Sequence, residues 1–344
     1  LIPPAAFRKH LLAWYDAHKR DLPWRQSTDF YRVWLSEIML QQTRVEAVIP
    51  YYEAFLARFP TLEALGSAPE SDVLTAWSGL GYYSRARNLR KAAQQASAKT
   101  PTGYSEILEL PGIGPYTAAA VASIVFGEPH ASVDGNVLRV ISRLTNDAGE
   151  ISSPPVRRRL AEEAQRLLAP RRPGDFNQAL MELGATVCIP AHVRQQGPRC
   201  GDCPVATHCA ARAEGREREL PVKARKPAAR DIEVELLVLL KGRELFLVRR
   251  DGSEKRLAGF YELPPKALFP GVAAEFAGQF THRIVNDRFI VSVYRSVFRA
   301  AIPGENAPGG DWFSPERLKE IPLTTVARKA LHLVHNFFPH TALA

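Results

Sequence analysis

Apolar side chains return every three to four positions through Phe7–Ala17, Tyr31–Leu40, Val45–Phe59, Val73–Trp77, Ala86–Ala98, Tyr116–Val125, Val137–Leu144 and Phe176–Leu183. That period puts one apolar stripe on each segment, the pattern of helices packed around a core. Short breaks such as Phe59-Pro60, Gly79-Leu80-Gly81 and Arg172-Pro173-Gly174 punctuate them, and Pro and Gly at such points end helices. Residues 1–214 are therefore predicted to be helical. From Gly215 to Arg230 the pattern dissolves into charge and proline, with Pro221, Lys223, Arg225, Lys226 and Pro227. That composition predicts a linker lying near a phosphate surface. After Asp231 the period becomes two in Ile232–Leu240, Glu244–Arg249 and Phe289–Val297, which predicts strands. The expected fold class is multidomain: an all-helical domain over 1–214, a linker over 215–230 and an α/β domain over 231–344. There is no internal repeat.

A chain of 344 residues with 46% hydrophobic content can bury two cores, and no run of 18 apolar residues predicts a membrane span. The formal net charge of +9 suits a polyanionic partner, although many basic proteins bind none. The chain opens on Leu1 rather than Met, so its native start is expected upstream.

All four cysteines fall in one 22-residue window, Cys188, Cys200, Cys203 and Cys209. Thiols used for packing would scatter, and disulfides suit small secreted domains, whereas this chain is long and lacks an apolar signal segment. A metal centre is the expectation. Spacing alone leaves zinc and an iron–sulfur cube both open. A reduced cytoplasmic, nucleoid-associated setting fits free thiols.

Leu110-Pro111-Gly112-Ile113-Gly114-Pro115-Tyr116 is a Gly-x-Gly turn opening a helix. Gly112 and Gly114 let backbone N–H groups approach an anion closely, and a DNA phosphate would fit without a basic side chain. The segment lacks the Lys of a nucleotide-binding loop and follows a helix rather than a strand, so a helix–hairpin–helix DNA clamp suits it better than a dinucleotide site. Two carboxylates stand apart. Glu37 interrupts the apolar run Trp34–Leu40, and Asp134 sits in Val133-Asp134-Gly135-Asn136 where a helix should begin. Taken singly, Asp134 is satisfied as an N-cap and Glu37 as a helix-edge residue.

Together these motifs resemble the endonuclease III superfamily of base-excision DNA glycosylases, and within it the adenine DNA glycosylase (MutY-type) family. Leu22-Pro23-Trp24-Arg25, Trp34 to Thr43, Gly79 to Leu89, Phe176 to Gly184 and Leu257 to Pro264 carry the likeness, which spans essentially the whole chain. The resemblance implies removal of adenine mispaired with 8-oxoguanine in double-stranded DNA, a [4Fe–4S] cluster on Cys188, Cys200, Cys203 and Cys209, and a Nudix-like C-terminal domain acting as a clamp. That domain lacks the acidic stretch a Nudix hydrolase needs. The resemblance further implies a monomer with no membrane partner. It makes Glu37 the general acid and Asp134 the carboxylate that stabilises positive charge on the sugar, with Tyr116 and Asn136 positioning Asp134 and the sugar. Trp24, Arg25, Leu40 and Glu182 would form the pocket for the extruded adenine, Gln178 would also bind substrate, and Gln42, Thr43 and Tyr82 would meet the lesion left in the duplex. Bifunctional relatives carry a Lys where Tyr116 stands; without an amine no Schiff base forms, so no strong lyase activity is expected.

Two departures modify the expectation. Eleven residues separate the first two cysteines where the family usually has six, and the longer loop around Ala191–Gly197 costs little extra closure entropy. Its His192, Arg194 and Arg199 are expected to face solvent or phosphate, and His208 is expected to be no ligand. The family also reads 8-oxoguanine with a Phe-Ser-His hairpin. Here the corresponding place, after Phe280-Thr281-His282, reads Ile284-Val285-Asn286. A tight turn at Asn286-Asp287 is expected, with Asn286 or Asp287 replacing the serine as acceptor for the lesion's N7–H. The alternatives are a degenerate turn with weakened lesion preference and a different glycosylase of the superfamily.

Overall fold

The computed structural model describes residues 2–191, 197–224, 228, 230–251, 257–284, 286–298 and 310–334. The chain forms two compact units, residues 1–66 with 91–225, and residues 67–90 with 226–344.

The first unit is helical: α1 (Pro4–His18), α2 (Phe30–Leu40), α3 (Val45–Arg58) and most of α4 (Leu62–Ser67) precede residue 67. After α5 (Glu70–Ala76) and the start of α6 (Ser84–Ala98), which belong to the other unit, it resumes with α7 (Tyr104–Leu108), α8 (Pro115–Val121), α9 (Gly135–Leu144), α10 (Pro154–Leu167), α11 (Pro173–Thr186) and α12 (Ala210–Ala213). One core joins α1, α9, α10 and α11 through Phe7, Leu11, Val137, Ile141, Leu160, Phe176 and Leu183, with Cys188, Cys203 and Cys209 packed against it. α10 was absent from the segments read above. Its apolar Val156, Leu160, Ala164 and Leu167 are buried at helical spacing, but three consecutive arginines and two glutamates between them mask the stripe. Helix α8 runs on into a π-turn over Ala122–Phe126. The wider turn lies where α11 comes closest: a Cβ on Gly174 would stand 2.7 Å from the Ser123 carbonyl oxygen.

The second unit holds a mixed sheet of β1 (Arg230–Lys241), β2 (Glu244–Arg249), β3 (Tyr261–Glu262), β4 (Glu275–Ile284), β5 (Asp287–Phe298) and β6 (Gly310–Phe313), with α13 (Thr325–His332). The strand order is β3-β2-β1-β5-β4, with β6 also paired to β2. β1 lies parallel to β5 along its whole length, from Arg230↔Asp287 to Lys241↔Phe298. Its Leu236, Val238 and Leu240 pack with α13 residues Ala327, Ala330 and Leu331. Leu237 and Leu239 pack on the other face with Phe246 and Phe269. Burial on both faces explains the unbroken apolar run, which central strands of such sheets require.

The β4–β5 hairpin corrects one expectation. Ile284 pairs with Asp287, so Asp287 is the first residue of β5 rather than part of the turn. Asn286 lies in the turn, and Val285 lies outside the described residues.

Candidate active site

A cavity of about 410 Å³ in the helical unit is lined by Trp24, Arg25, Glu37, Leu40, Thr43, Tyr116, Asp134, Asn136, Gln178 and Glu182. These residues come from α2, the loops on either side of it, α8, α9 with its N-cap, and α11, so ten of the sequence candidates meet in space. The volume lies in the range of small-molecule sites.

Glu37 is buried, at 6% exposure, on a helix where nine of eleven residues are buried. Burial without a cationic partner in contact favours the protonated carboxyl. Its pKa is raised to about 7, first by desolvation and also by the negative charge of Asp134; a hydrogen bond from Tyr116 pulls the other way. The Tyr116 hydroxyl donates to Glu37 Oε2 at 3.1 Å. Burial, and then Glu37 itself, hold the Tyr116 phenol well above its ordinary pKa, so it stays a donor. The partner of the Tyr116 hydroxyl here is thus Glu37, a contact that the expected role of positioning Asp134 and the sugar did not include.

Asp134 caps α9. Its Oδ1 accepts the Val137 N–H at 2.7 Å and its Oδ2 accepts Asn136 Nδ2 at 2.9 Å. Burial raises its pKa, opposed by the bonds from Val137 and Asn136 and by Arg139. Asn136 is held in turn by Arg139 Nη2 at 2.9 Å. Arg139 also donates to the Gly184 and Cys188 carbonyls at 2.8 and 2.9 Å. A Cβ on Gly184 would come within 2.8 Å of Asn136 Cβ, so glycine is what allows α9 and α11 this contact.

The loop before Asp134 is fixed by Asn177, which is 1% exposed. Its Oδ1 accepts from Ser132 N at 3.0 Å, and its Nδ2 donates to Ser123 Oγ at 2.9 Å and His130 O at 2.8 Å. Asn177→Leu keeps the volume but orphans these buried groups, at about 1–3 kcal/mol each. We expect a lower thermal midpoint and a single-turnover rate reduced by about tenfold or more, measured on the same preparation; an unchanged rate would show that the loop holds Asp134 without it.

Glu182 is clamped by two guanidiniums. Arg20 reaches it through Nε at 2.6 Å and Nη2 at 3.1 Å, and Arg25 through Nη2 at 2.7 Å. Burial raises its pKa, but the bonds from Arg20 and Arg25 outweigh this and leave the carboxyl below its ordinary value. Arg25 Nε also donates to Gln178 Oε1 at 3.2 Å. Arg20 and Arg139 escaped the sequence reading. Each sits where a surface arginine is ordinary, Arg20 in His-Lys-Arg-Asp and Arg139 mid-helix, and only the fold turns them inward.

The remaining candidates lie outside this cavity. Gln42 is exposed with φ 58°, and Gly112 has φ 77° in the α7–α8 hairpin, where a Cβ would be strained. Gly114 is the N-cap of α8 with φ −103°. Tyr82 belongs to the sheet-bearing unit, is 52% exposed and has φ 48°. The Arg85 guanidinium lies 5.6 Å from its ring centre and 5.4 Å from that of Trp77. Asp287 is engaged by Arg230, at 3.1 and 3.2 Å, while Asn286 is exposed.

The four cysteines line a second, apolar cavity together with Arg143 and Arg199. Among the described residues no three potential ligands converge on a single ion. Arg143 is 1% exposed and donates through Nη1 to Cys188 Sγ at 3.1 Å. Among the described residues its Nη2 is buried without a partner. An orphaned cationic donor at an apolar cavity walled by thiols fits an anionic sulfur cluster. His208 stacks near His10, with Nε2 3.1 Å from His10 Nδ1. Arg199 lies 3.6 Å from Asp202; His192 and Arg194 lie outside the described residues.

Residues 35–166 match the HhH-GPD superfamily of base excision DNA repair proteins. The adenine DNA glycosylase of Buchnera aphidicola subsp. Schizaphis graminum is 33% identical over 254 residues, which cover 72% of this chain and 72% of that protein. The chain belongs to the adenine DNA glycosylase family. The human adenine DNA glycosylase is 45% identical over 241 residues, 66% of this chain and 43% of the human protein. The chain thus spans under half the length of the mammalian relatives it matches. A thermostable thymine-DNA glycosylase superposes with TM-score 0.55 at 29% identity, over 61% of this chain and 97% of that one.

Proposed function

We propose that this chain is a monofunctional glycosylase that hydrolyses the N-glycosidic bond of adenine mispaired with 8-oxoguanine in duplex DNA. The observation that carries the reading is one cavity bearing two carboxyls of different character: Glu37, buried and protonated near neutral pH, and Asp134, an N-cap acceptor with bonds to both oxygens. Pairs whose environments separate their pKa values divide acid and charge-stabilising roles.

Extruded adenine enters the cavity against Trp24 and Leu40, with Glu182, Arg25 and Gln178 along its polar edge. Glu37 protonates N7, so the electron pair of the C1′–N9 bond departs on a neutral base instead of an anion. Asp134 stabilises the oxocarbenium-like sugar, or bonds to it briefly, in the manner of retaining glycosidases. Water closes on C1′ and its proton returns to Glu37. The Tyr116 phenol supports the Glu37 carboxylate while its proton is away and supplies no amine for lyase chemistry. Cys188, Cys200, Cys203 and Cys209 would hold the [4Fe–4S] cluster, with Arg143 beside it. When bound, the cluster ties the 188–209 loop to the helical core. Gly112 and Gly114 present backbone N–H groups to a phosphate.

Lesion reading is assigned to Thr281. Phe280-Thr281-His282 lies on β4 of the hairpin and keeps the aromatic–hydroxyl–imidazole order, and Thr281 is exposed. A threonine hydroxyl can accept the N7–H of 8-oxoguanine as a serine does. Asp287 is already committed to Arg230. The deciding experiment is single-turnover base release on duplexes holding 8-oxoguanine·adenine, guanine·adenine or guanine·thymine. Fast release from the first alone supports the reading, and thymine release would replace it with a thymine-mismatch enzyme. Thr281→Val should then cut the lesion preference by about 1–3 kcal/mol, or roughly 5- to 150-fold, without slowing guanine·adenine turnover. If Asn286→Ala produces that loss and Thr281→Val does not, the acceptor is Asn286.

A further inference from the structure

Beyond the catalytic cavity, the helical unit has another opening of about 470 Å³, walled by Tyr104, Pro115, Tyr116, Ala119, His130, Ala131, Val133, Leu138, Arg157, Arg158, Ala161 and Gln165. We infer that Arg157 and Arg158 bind backbone phosphates of the DNA strand whose nucleotide is extruded toward Asp134. The inference rests on the glycosylase reading and adds a site to it.

The first observation is charge without a partner. α10 begins Pro154-Pro155-Val156-Arg157-Arg158-Arg159 and has no acid in its first turn. Arg159 is spoken for, donating to both oxygens of Asp147 at 2.7 and 2.9 Å. Among the described residues Arg157 and Arg158 make no side-chain hydrogen bond or ion pair, and both are exposed. Two free guanidiniums side by side repel each other and gain most from a ligand with several anionic oxygens.

The second observation is position. Val133, in the cavity wall, directly precedes Asp134, Ala131 stands three residues before it, and Tyr116 lines both cavities. A duplex strand carries a phosphate about every 3.4 Å along its axis. A strand whose sugar reaches Asp134 therefore brings flanking phosphates to this opening. Glu128, near the wall residue His130 in sequence, is already engaged: it accepts the Tyr104 N–H at 3.1 Å and pairs with His130 Nε2 at 3.1 Å. The His130 ring stacks on Tyr104 with centres 4.1 Å apart, and Arg157 and Arg158 are the exposed cations of this wall.

The test measures binding of the full chain to a labelled duplex holding a tetrahydrofuran abasic analogue opposite 8-oxoguanine, as a function of salt. Arg157→Ala/Arg158→Ala should flatten the slope of log K against log salt by about two and weaken binding about tenfold or more at low salt. The single-turnover rate at saturating duplex should stay unchanged. Arg157→Lys/Arg158→Lys should restore most of the slope, and Arg159→Ala should leave it intact. An unchanged slope in the double alanine variant, or an equal change in Arg159→Ala, overturns the site. If wild type binds with the expected slope difference yet releases no adenine, the phosphate site stands and the glycosylase reading falls.

Discussion

Glu37→Gln is expected to lower single-turnover adenine release by about 10²–10⁴-fold while leaving duplex affinity unchanged, because the amide keeps the shape but has no proton to give N7. The same change should stabilise the fold. Burial raises the pKa of folded Glu37 from its ordinary value of 4.5 to about 7. Between those values the native state binds more protons than the unfolded chain, so Glu37 lowers stability progressively as pH rises through that window. The full cost is present above about pH 7 and amounts to about 3 kcal/mol. Gln carries no such cost. Its thermal midpoint advantage over wild type should therefore be absent below about pH 4 and full above about pH 7. In wild type, base release should fall as pH rises through about 7 when Glu37 ionises, and the variant's residual rate should lack that limb. Retained turnover in the variant removes Glu37 from the acid role; lost turnover with a lower thermal midpoint would point to misfolding instead.

Asp134→Asn should cost about 10²–10³-fold in the same assay. Asparagine caps helices about as well as aspartate, so the Val137 N–H at 2.7 Å keeps an acceptor and α9 keeps its start. What disappears is the negative charge facing the developing cation, together with the acceptor for Asn136 Nδ2. The thermal midpoint should move little. The pH profile separates the two carboxyls: burial raises the Asp134 pKa, so wild-type release should also fall on acidification as Asp134 takes up a proton. That acid limb should vanish in Asp134→Asn while the basic limb from Glu37 remains. A variant that loses the basic limb instead would reverse the two roles.

Period and spacing alone decided a good deal about this molecule. The 3.6-residue recurrence through α1, α2, α9 and α11 and the alternation in β2 and β5 follow from which face must be buried, and that is local information. Gly112 and Gly114, the N-cap at Asp134 and the four-cysteine window were legible for the same reason, since each is a short-range requirement on backbone or ligand. α10 was missed because Arg157, Arg158 and Arg159 dilute a four-residue apolar stripe. β4 was mostly missed because, at the sheet edge, its side chains are only partly buried. The hairpin turn was placed one residue too far along because Asn-Asp is a strong local turn signal, whereas pairing of Ile284 with Asp287 sets the register.

Only the tertiary structure could decide what the charged residues do. Sequence marks Glu37 as a carboxylate in an apolar run, but its raised pKa comes from burial on every side and from Asp134, 97 positions further along. The clamp of Arg20 and Arg25 on Glu182 spans more than 150 positions, and the link from Asp134 through Asn136 and Arg139 to the Cys188 carbonyl needs α9 against α11. Electrostatic character depends on distance and on exclusion of water, and both are properties of the packed chain rather than of its order.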